Sequence, residues 1–312
     1  MMWLLAAAVA LLAIPAVADD SDSDGGPRPP PPLPPQQCAE EKGRCKTVSF
    51  VRHAQGTHNK AEEETLLQPP DQILLVQNSE RKYWDAPLTA LGRHQSLRRR
   101  QQLIDDNILA PPAEQTENEG ATALQLVVTS TLRRAIQTAI HIFGPADQDG
   151  APKFLATELC RERVANFTCD GRSTRAELKK LYSFVDFSEL QTDMDLMWLQ
   201  KEDADGERAC RDRAKAFVRW LLARPEEHIA VVSHGHFLRH LFSLLPDEQL
   251  LAGAGTEHQG TSRRSKLANA EVRRAMVCAG DGGVDGAPSA WRGLPDNSKP
   301  KRRVFSTSPV KF

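Results

Sequence analysis

The chain has 312 residues, 40 basic against 41 acidic side chains, a formal net charge of -1 and 40% hydrophobic residues. These values describe an ordinary globular protein without an overall basic field, so we expect neither nucleic acid nor an anionic membrane surface as its main partner. Length alone allows one large α/β domain or two smaller ones.

The first 18 residues are predicted to be a signal peptide. An uncharged apolar run from Trp3 ends at Ala16-Val17-Ala18, which resembles a small-residue cleavage site. The run is shorter than the roughly 20 residues of a membrane helix, although an uncleaved signal anchor is the alternative. We therefore expect a protein of the secretory pathway, secreted or lumenal, without a membrane segment after cleavage.

The rest of the chain divides into a linker, a domain and a tail. Residues 19–44 are predicted to be a Pro-rich linker, because seven of the 21 prolines lie between Pro27 and Pro35. Residues 279–312 are rich in Gly, Pro, Ser and basic residues and are predicted to be a disordered tail. The segment 45–278 between them is predicted to be one folded domain.

All six cysteines follow the predicted cleavage site, and an even number suits an oxidising compartment. Cys38 with Cys45 and Cys160 with Cys169 are locally plausible disulfide pairs, but spacing alone leaves the pairing open, and buried free thiols are the alternative. Asn166-Phe167-Thr168 is an N-glycosylation sequon, which predicts a glycoprotein if this segment is exposed in the secretory lumen.

Short apolar runs alternate with stretches of helical period along the domain. The predicted strands are 47–51, 124–129 and 229–233, with a last one within 270–278. The predicted helices are 89–105, 131–143, 206–223 and 236–245. This alternation predicts a three-layer α/β/α sandwich with a mainly parallel sheet. The segments 60–80 and 106–123 have no firm period and are predicted to be insertions, which either shape the mouth of a ligand pocket or are loose surface excursions.

Polar residues suited to binding a phosphate follow three of the strands. Arg52-His53 follow the first, Ser130 to Arg134 the second and Ser233-His234-Gly235 the third. In an open parallel sheet, ligands bind in the crevice beyond the carboxyl ends of the strands. We therefore expect two arginines and two histidines to converge on one pocket, as phosphoryl transfer requires.

Five segments occur in an order that points to one family: Phe50–Asn59, Asp85–Gly92, Ser130–Ala139, Leu159–Glu162 and Val232–Gly235. They resemble the signature loop, the Leu-Thr-x-x-Gly helix start, the second arginine motif, the acid segment and the closing histidine motif of the histidine phosphatase superfamily. The resemblance is to the phosphoglycerate mutase-like branch of that superfamily. Several motifs in one order are far more specific than any single Arg-His pair.

The resemblance implies a role for each matching residue. His53 would be the nucleophile that becomes a phosphohistidine, and Glu162 would be the general acid and then the base. The phosphate-binding residues would be Arg52, Asn59, Arg134 and His234. The implied activity is that of a phosphomonoester hydrolase that needs neither a metal nor a cofactor, acting on a phosphorylated small molecule or a phosphoprotein.

The chain departs from the family pattern at three places. Ala54 stands where the family has glycine, so the backbone there must tolerate a Cβ. Arg133 and Arg134 are adjacent, and the position before Ala135 favours Arg134 as the ligand. Glu158 lies four residues before Glu162 and is an alternative acid.

Three other functions are alternatives to hydrolysis by this mechanism. The first is phosphoryl transfer of the phosphoglycerate mutase type, and the second is a phosphate-binding or interaction protein with a weakened active site. The third is a metallohydrolase that uses His234, His236 and His240, of which the last two are spaced for one helix face. The sequence makes no prediction of the oligomeric state.

Charged residues outside the motifs receive weaker predictions. Five histidines are predicted to be surface or packing residues: His58, His94, His141, His228 and His258. Four arginines near the acid segment would favour a polyanionic substrate if they faced the pocket, although solvated arginines are the ordinary case: Arg161, Arg163, Arg172 and Arg175.

Overall fold

The computed structural model describes residues 45–66, 81–109, 124–144, 151–165, 167–200, 206–246, 249–251 and 266–279. The predicted signal peptide, the Pro-rich linker, Asn166 of the sequon and all but the first residue of the predicted tail lie outside the described residues. Within the described ranges, no helix combines the length and the apolar character needed to cross a bilayer.

The centre of the domain is a six-stranded sheet. Its strands are β1 (Cys45–Arg52), β2 (Leu126–Ser130), β3 (Lys153–Thr157), β4 (Val185–Asp186), β5 (His228–Ser233) and β6 (Val272–Cys278). Their order in the sheet is β4-β3-β2-β5-β1-β6, and only β6 runs antiparallel to its neighbour. The predicted mainly parallel sheet is therefore confirmed.

Seven α-helices accompany the sheet in the described residues. They are α1 (Thr57–Leu66), α2 (Ala90–Asp105), α3 (Arg133–Phe143), α4 (Arg175–Leu181), α5 (Leu196–Leu199), α6 (Gly206–Leu222) and α7 (Gly235–Leu244). The four predicted helices match α2, α3, α6 and α7. The predicted insertion from residue 60 was wrong as far as Leu66, because these residues belong to α1. The sequence did not show this helix, since only three of its residues, all near its start, are buried and no apolar period runs along its full length.

Strand side chains alternate between two apolar cores, one on each face of the sheet. Val48 and Phe50 of β1 belong to the core that contains Phe217 of α6 and Phe237 of α7. Val51, the next residue of β1, belongs instead to the core that contains residues of α2, α3 and α4. Because successive strand residues point to opposite faces, helices cover both faces, and the three-layer sandwich is confirmed.

The strand register brings the carboxyl ends of β1, β2 and β5 to one edge of the sheet. Arg52 pairs with Ser233, and Thr129 near the end of β2 pairs with Val232. The backbone N–H of His53 donates to the Ser233 carbonyl at 2.9 Å, which continues the ladder one residue beyond β1. The three polar segments after these strands therefore begin next to one another.

The structure contains one disulfide among the described cysteines, and it joins Cys45 to Cys278. The antiparallel register of β1 and β6 places these two residues opposite each other, although 233 positions separate them in sequence. Both locally plausible pairs were therefore wrong: Cys45 has a distant partner, and Cys160 and Cys169 are buried free thiols, as is Cys210.

We expect a Cys45→Ser/Cys278→Ser variant to melt roughly 5–15 °C below the wild type, because loss of a native disulfide costs about 2–5 kcal/mol. The melting temperature would be measured by circular dichroism with and without dithiothreitol. Dithiothreitol should lower the wild-type value to that of the variant and leave the variant unchanged. Equal melting temperatures for the oxidised wild type and the variant would contradict a stabilising role.

Candidate active site

A cavity of about 230 Å³ opens at the edge of the sheet where β1, β2 and β5 end. Five of the six predicted site residues line it: Arg52, His53, Asn59, Arg134 and Glu162. The sixth, His234, lies behind His53, with the two ring centroids 5.0 Å apart. The structure thus brings together all six side chains, which come from positions as far apart as 52 and 234.

Hydrogen bonds orient the imidazole of His53. Its Nδ1 lies 2.8 Å from the carbonyl oxygen of Ala54, and because a carbonyl only accepts, Nδ1 carries the proton and donates. The other nitrogen, Nε2, therefore carries the lone pair. The backbone N–H of Ala54 in turn donates to Thr138 Oγ1 of α3 at 3.0 Å, which ties this loop to the helix behind it.

The surroundings of His53 keep its ring neutral. Burial lowers the pKa of His53 well below 6.5, and the positive charges of Arg134 and Arg52 lower it further. A neutral imidazole is the nucleophilic form of histidine. The cations that would neutralise a bound phosphate are thus the same groups that keep His53 unprotonated.

Arg52 is held by the segment that leads into β6. Its Nη1 donates to the carbonyl oxygen of Leu267 at 2.7 Å, whereas its buried Nε has no protein partner among the described residues. The amide of Asn269 donates to the His53 carbonyl at 2.9 Å. Sequence analysis missed this segment, because Leu267 and Asn269 lie more than 200 positions from the loop that they support.

Arg134, rather than Arg133, faces the cavity. Its guanidinium is buried and donates from Nη1 to the Cys169 carbonyl and from Nη2 to Asp170 at 3.4 Å. Its Nε has no protein partner within the described part of the chain. The side chain of Arg133 instead interacts with Tyr182, outside the cavity. The choice of Arg134 from the family pattern therefore agrees with its position.

Asp170 is a buried carboxyl group of the cavity that sequence analysis missed. Burial raises its pKa to about 7, against the opposing effect of the adjacent Arg134 charge. No local sequence pattern indicates a site role for this residue. It follows the acid segment in a turn and reaches the cavity only because that turn packs against α3.

Asn59 and His58 lie on the first turn of α1. The side-chain oxygen of Asn59 accepts from the backbone N–H of Gly56 at 3.0 Å, so its amide N–H groups remain available to a ligand. His58 was predicted to be a surface or packing residue, and only the surface alternative was wrong. His58 is buried and lines the cavity, because the same helical turn that presents Asn59 also presents its neighbour.

His234 precedes α7 and is fully buried. Its Nε2 and the hydroxyl of Ser130 are hydrogen-bonded at 2.7 Å, which connects the ends of β5 and β2. Its Nδ1 is enclosed and has no protein hydrogen bond in the described residues. Burial lowers the pKa of His234 well below 6.5, and the positive charge of Arg134 lowers it further, so this ring is also neutral.

The two candidate acids occupy different environments. The carboxylate of Glu162 lines the cavity and accepts from the backbone N–H groups of His236 and Phe237 at the start of α7, at 3.3 and 3.1 Å. Glu158 lies outside the cavity lining and is paired with the buried guanidinium groups of Arg161 and Arg172. The geometry therefore favours Glu162 as the acid that contacts a ligand.

Three of the four arginines near the acid segment do not face the cavity. Arg161 and Arg172 are buried in ion pairs, with Asp195 as a second partner for Arg161. Arg175 donates to the Leu190 carbonyl at 2.9 Å. These three arginines therefore do not support a polyanionic substrate, because carboxylate and carbonyl oxygens accept their hydrogen bonds. Of the four arginines, only Arg163 lines the cavity.

The Leu-Thr-x-x-Gly segment packs against the loop that carries His53. The hydroxyl of Thr89 caps α2 by accepting from Gly92 N–H at 2.9 Å, and Thr89 N–H donates to the Gln55 carbonyl. A Cβ on Gly92 would lie 2.1 Å from the Gln55 carbonyl oxygen, so only glycine allows this approach. Ala54, which replaces the family glycine, does not have a positive φ and packs against Leu88 and Ala270.

Two of the three histidines of the metallohydrolase alternative, His236 and His240, interact with the carboxylate of Glu207, which does not line the cavity. His240 Nε2 is hydrogen-bonded to Glu207 at 2.6 Å, and His236 Nδ1 lies 3.7 Å from the same side chain. Across the described residues, no group of three or more His, Cys, Asp or Glu side chains has an arrangement that would hold a metal ion.

Comparison with known proteins identifies a family and close relatives. Residues 48–273 match the model of the histidine phosphatase superfamily, branch 1, a range that includes all five predicted motifs. A phosphoglycerate mutase-like protein of Arabidopsis thaliana is 35% identical over 224 residues, which cover 64% of this chain and 74% of that protein. Phosphoglycerate mutase-like protein 1 of the same plant is 28% identical over 232 residues, covering 66% and 73%.

Solved structures also resemble this chain. One is the ecdysone phosphate phosphatase from Bombix mori in complex with tungstate, with 15% sequence identity and a TM-score of 0.42. The similarity covers 73% of this chain and 87% of that one.

Proposed function

The chain belongs to the histidine phosphatase superfamily, branch 1, and from this premise we propose that it is a metal-independent phosphomonoester hydrolase. Catalysis proceeds through a phosphohistidine on His53, with Glu162 as general acid and base. The phosphoryl group is bound by Arg52, Asn59, Arg134 and His234. The substrate is a phosphorylated small molecule or a phosphoprotein.

One observation carries this proposal: a neutral buried imidazole lies beside two guanidinium groups that each have an unpartnered donor. The hydrogen bond from Nδ1 of His53 to Ala54 leaves the Nε2 lone pair free. The Nε–H groups of Arg52 and Arg134 have no protein acceptor within the described residues. Buried donors without acceptors are costly, and phosphoryl oxygens at this place would satisfy them while their charge is neutralised.

The reaction has two steps. In the first, His53 Nε2 attacks phosphorus, the bond from phosphorus to the ester oxygen breaks, and Glu162 donates its proton to the leaving alkoxide. In the second, the Glu162 carboxylate takes a proton from water, and the water oxygen attacks phosphorus. The N–P bond then breaks, inorganic phosphate leaves, and the lone pair returns to His53.

We expect the wild-type protein to release inorganic phosphate from small phosphate monoesters in the presence of excess chelator, because every group of this mechanism is a side chain. The assay compares aryl, alkyl and amino-acid phosphates and measures free phosphate and dephosphorylated product. Activity lost with chelator and restored by a divalent metal would contradict the metal-independent mechanism. Phosphate binding without turnover would favour the phosphate-binding function, and product isomers without free phosphate would favour a mutase.

A further inference from the structure

His58 is a polar residue of the cavity that the two-step mechanism does not use. It is the second residue of α1, only 7% exposed, and its ring centroid lies 5.7 Å from that of His53. It lines the cavity together with Arg52, Asn59 and Arg134. Its position therefore places it against the volume in which a phosphoryl group on His53 would lie.

The imidazole of His58 has an unsatisfied nitrogen. Its Nδ1 is enclosed and makes no hydrogen bond within the described part of the chain. This nitrogen packs against Gly56, where a Cβ would lie only 2.7 Å from it. A buried polar atom without a partner costs free energy, and a phenylalanine would fill the same space without that cost. Packing alone therefore does not account for a histidine here.

Burial and the charges around His58 determine the protonation state of its ring. Burial lowers its pKa well below 6.5, and the positive charges of Arg134, Arg52 and Lys266 lower it further. The ring is thus neutral and carries one N–H. Because the enclosed Nδ1 has no acceptor, the proton lies on Nε2, the ring nitrogen available to a bound ligand.

We propose that His58 is a further substrate-binding residue, whose Nε2–H donates a hydrogen bond to an oxygen of the phosphoryl group. This inference rests on the proposed function. A neutral donor stabilises a phosphoryl oxygen without placing another full positive charge beside the nucleophile, next to which Arg52 and Arg134 already lie.

The test compares His58→Phe, which keeps a ring but removes the donor, with His58→Gln, which retains an N–H donor. His94→Gln, at an exposed position of α2, is the matched control. We expect His58→Phe to weaken the binding of inorganic phosphate, measured by calorimetry, about tenfold and to lower kcat/KM by roughly 10- to 100-fold. His58→Gln should lose clearly less, and His94→Gln should match the wild type.

A melting curve distinguishes a loss of phosphate binding from a loss of folding stability in the His58 variants. If His58 acts on the ligand, His58→Phe should keep or raise the wild-type melting temperature, because the unpaired nitrogen is removed. Wild-type phosphate affinity and kcat/KM in His58→Phe would overturn the inference, as would equal losses in the Phe and Gln variants. A wild type without turnover would instead refute the proposed function, and the calorimetric comparison would still decide the role of His58.

Discussion

Replacing His53 by alanine is expected to reduce kcat/KM for every phosphate monoester by roughly 10³-fold or more, which corresponds to about 4 kcal/mol of lost transition-state stabilisation. The proposed reaction forms its covalent bond at Nε2 of this residue, and alanine offers no nucleophile. The guanidinium groups of Arg52 and Arg134 would remain, so phosphate binding should survive while turnover does not.

The measurement combines steady-state rates with trapping of the phosphoenzyme. Wild-type protein quenched in alkaline detergent after mixing with radiolabelled substrate should retain label on histidine, and His53→Ala should retain none. His94→Ala, an exposed histidine of α2, controls for histidine removal as such. Label on the His53→Ala protein would move the nucleophile to His58 or His234, whose ring centroids lie 5.7 and 5.0 Å from that of His53.

Replacing Glu162 by glutamine is expected to lower kcat/KM by about 10²-fold for an alkyl phosphate and by less than about 10-fold for p-nitrophenyl phosphate. An alkoxide needs a proton in order to leave, whereas nitrophenolate does not. The ratio kcat/KM reports the steps through formation of the phosphoenzyme, so it isolates the acid role. Because Glu162 also activates water in the second step, kcat should fall for both substrates.

Two matched variants test whether this effect belongs to Glu162. Glu158→Gln disturbs the ion pairs with the buried Arg161 and Arg172, so it should lower the melting temperature. It should not change how much kcat/KM differs between the alkyl phosphate and p-nitrophenyl phosphate. Two further carboxyl groups line the cavity, those of Glu62 and Asp170, and Asp170→Asn removes the buried one. A leaving-group dependence that appears in the Asp170 variant and is absent from Glu162→Gln would reassign the acid to Asp170.

Much of the fold could be predicted because its signals are local. The apolar runs that became β2 and β5 are buried on both faces, and such strands form continuous hydrophobic stretches. In β1 the buried residues alternate with half-buried ones, which is the period of a strand. β4 contains only two residues and α5 only four, so neither presents a measurable period. α1 was missed for a related reason, since it buries residues only near its start.

The residues of the candidate site were likewise predictable where a local motif assigned them a role. The six residues carried over from the family pattern lie in short motifs, and the structure brings all six together. His58, Asp170 and Lys266 also line the cavity. Asp170 and Lys266 lie outside the five motifs, whereas His58 lies inside the first one, Phe50–Asn59, at a position to which the resemblance assigned no role. His58 had a usable signal, because it directly precedes Asn59 on the same helical turn. Lys266 had none, since it reaches the cavity from the segment before β6.

The sequence by itself determined the alternation of strands and helices and the order of the motifs, because hydrophobic period and strand-end chemistry depend on neighbouring residues. Only the tertiary structure decided that Cys45 pairs with Cys278 and that Glu162, rather than Glu158, faces the cavity. Disulfide partners and the direction of a buried carboxylate depend on strand register and packing between distant segments. No local pattern records those contacts, so they become visible only when the chain is folded.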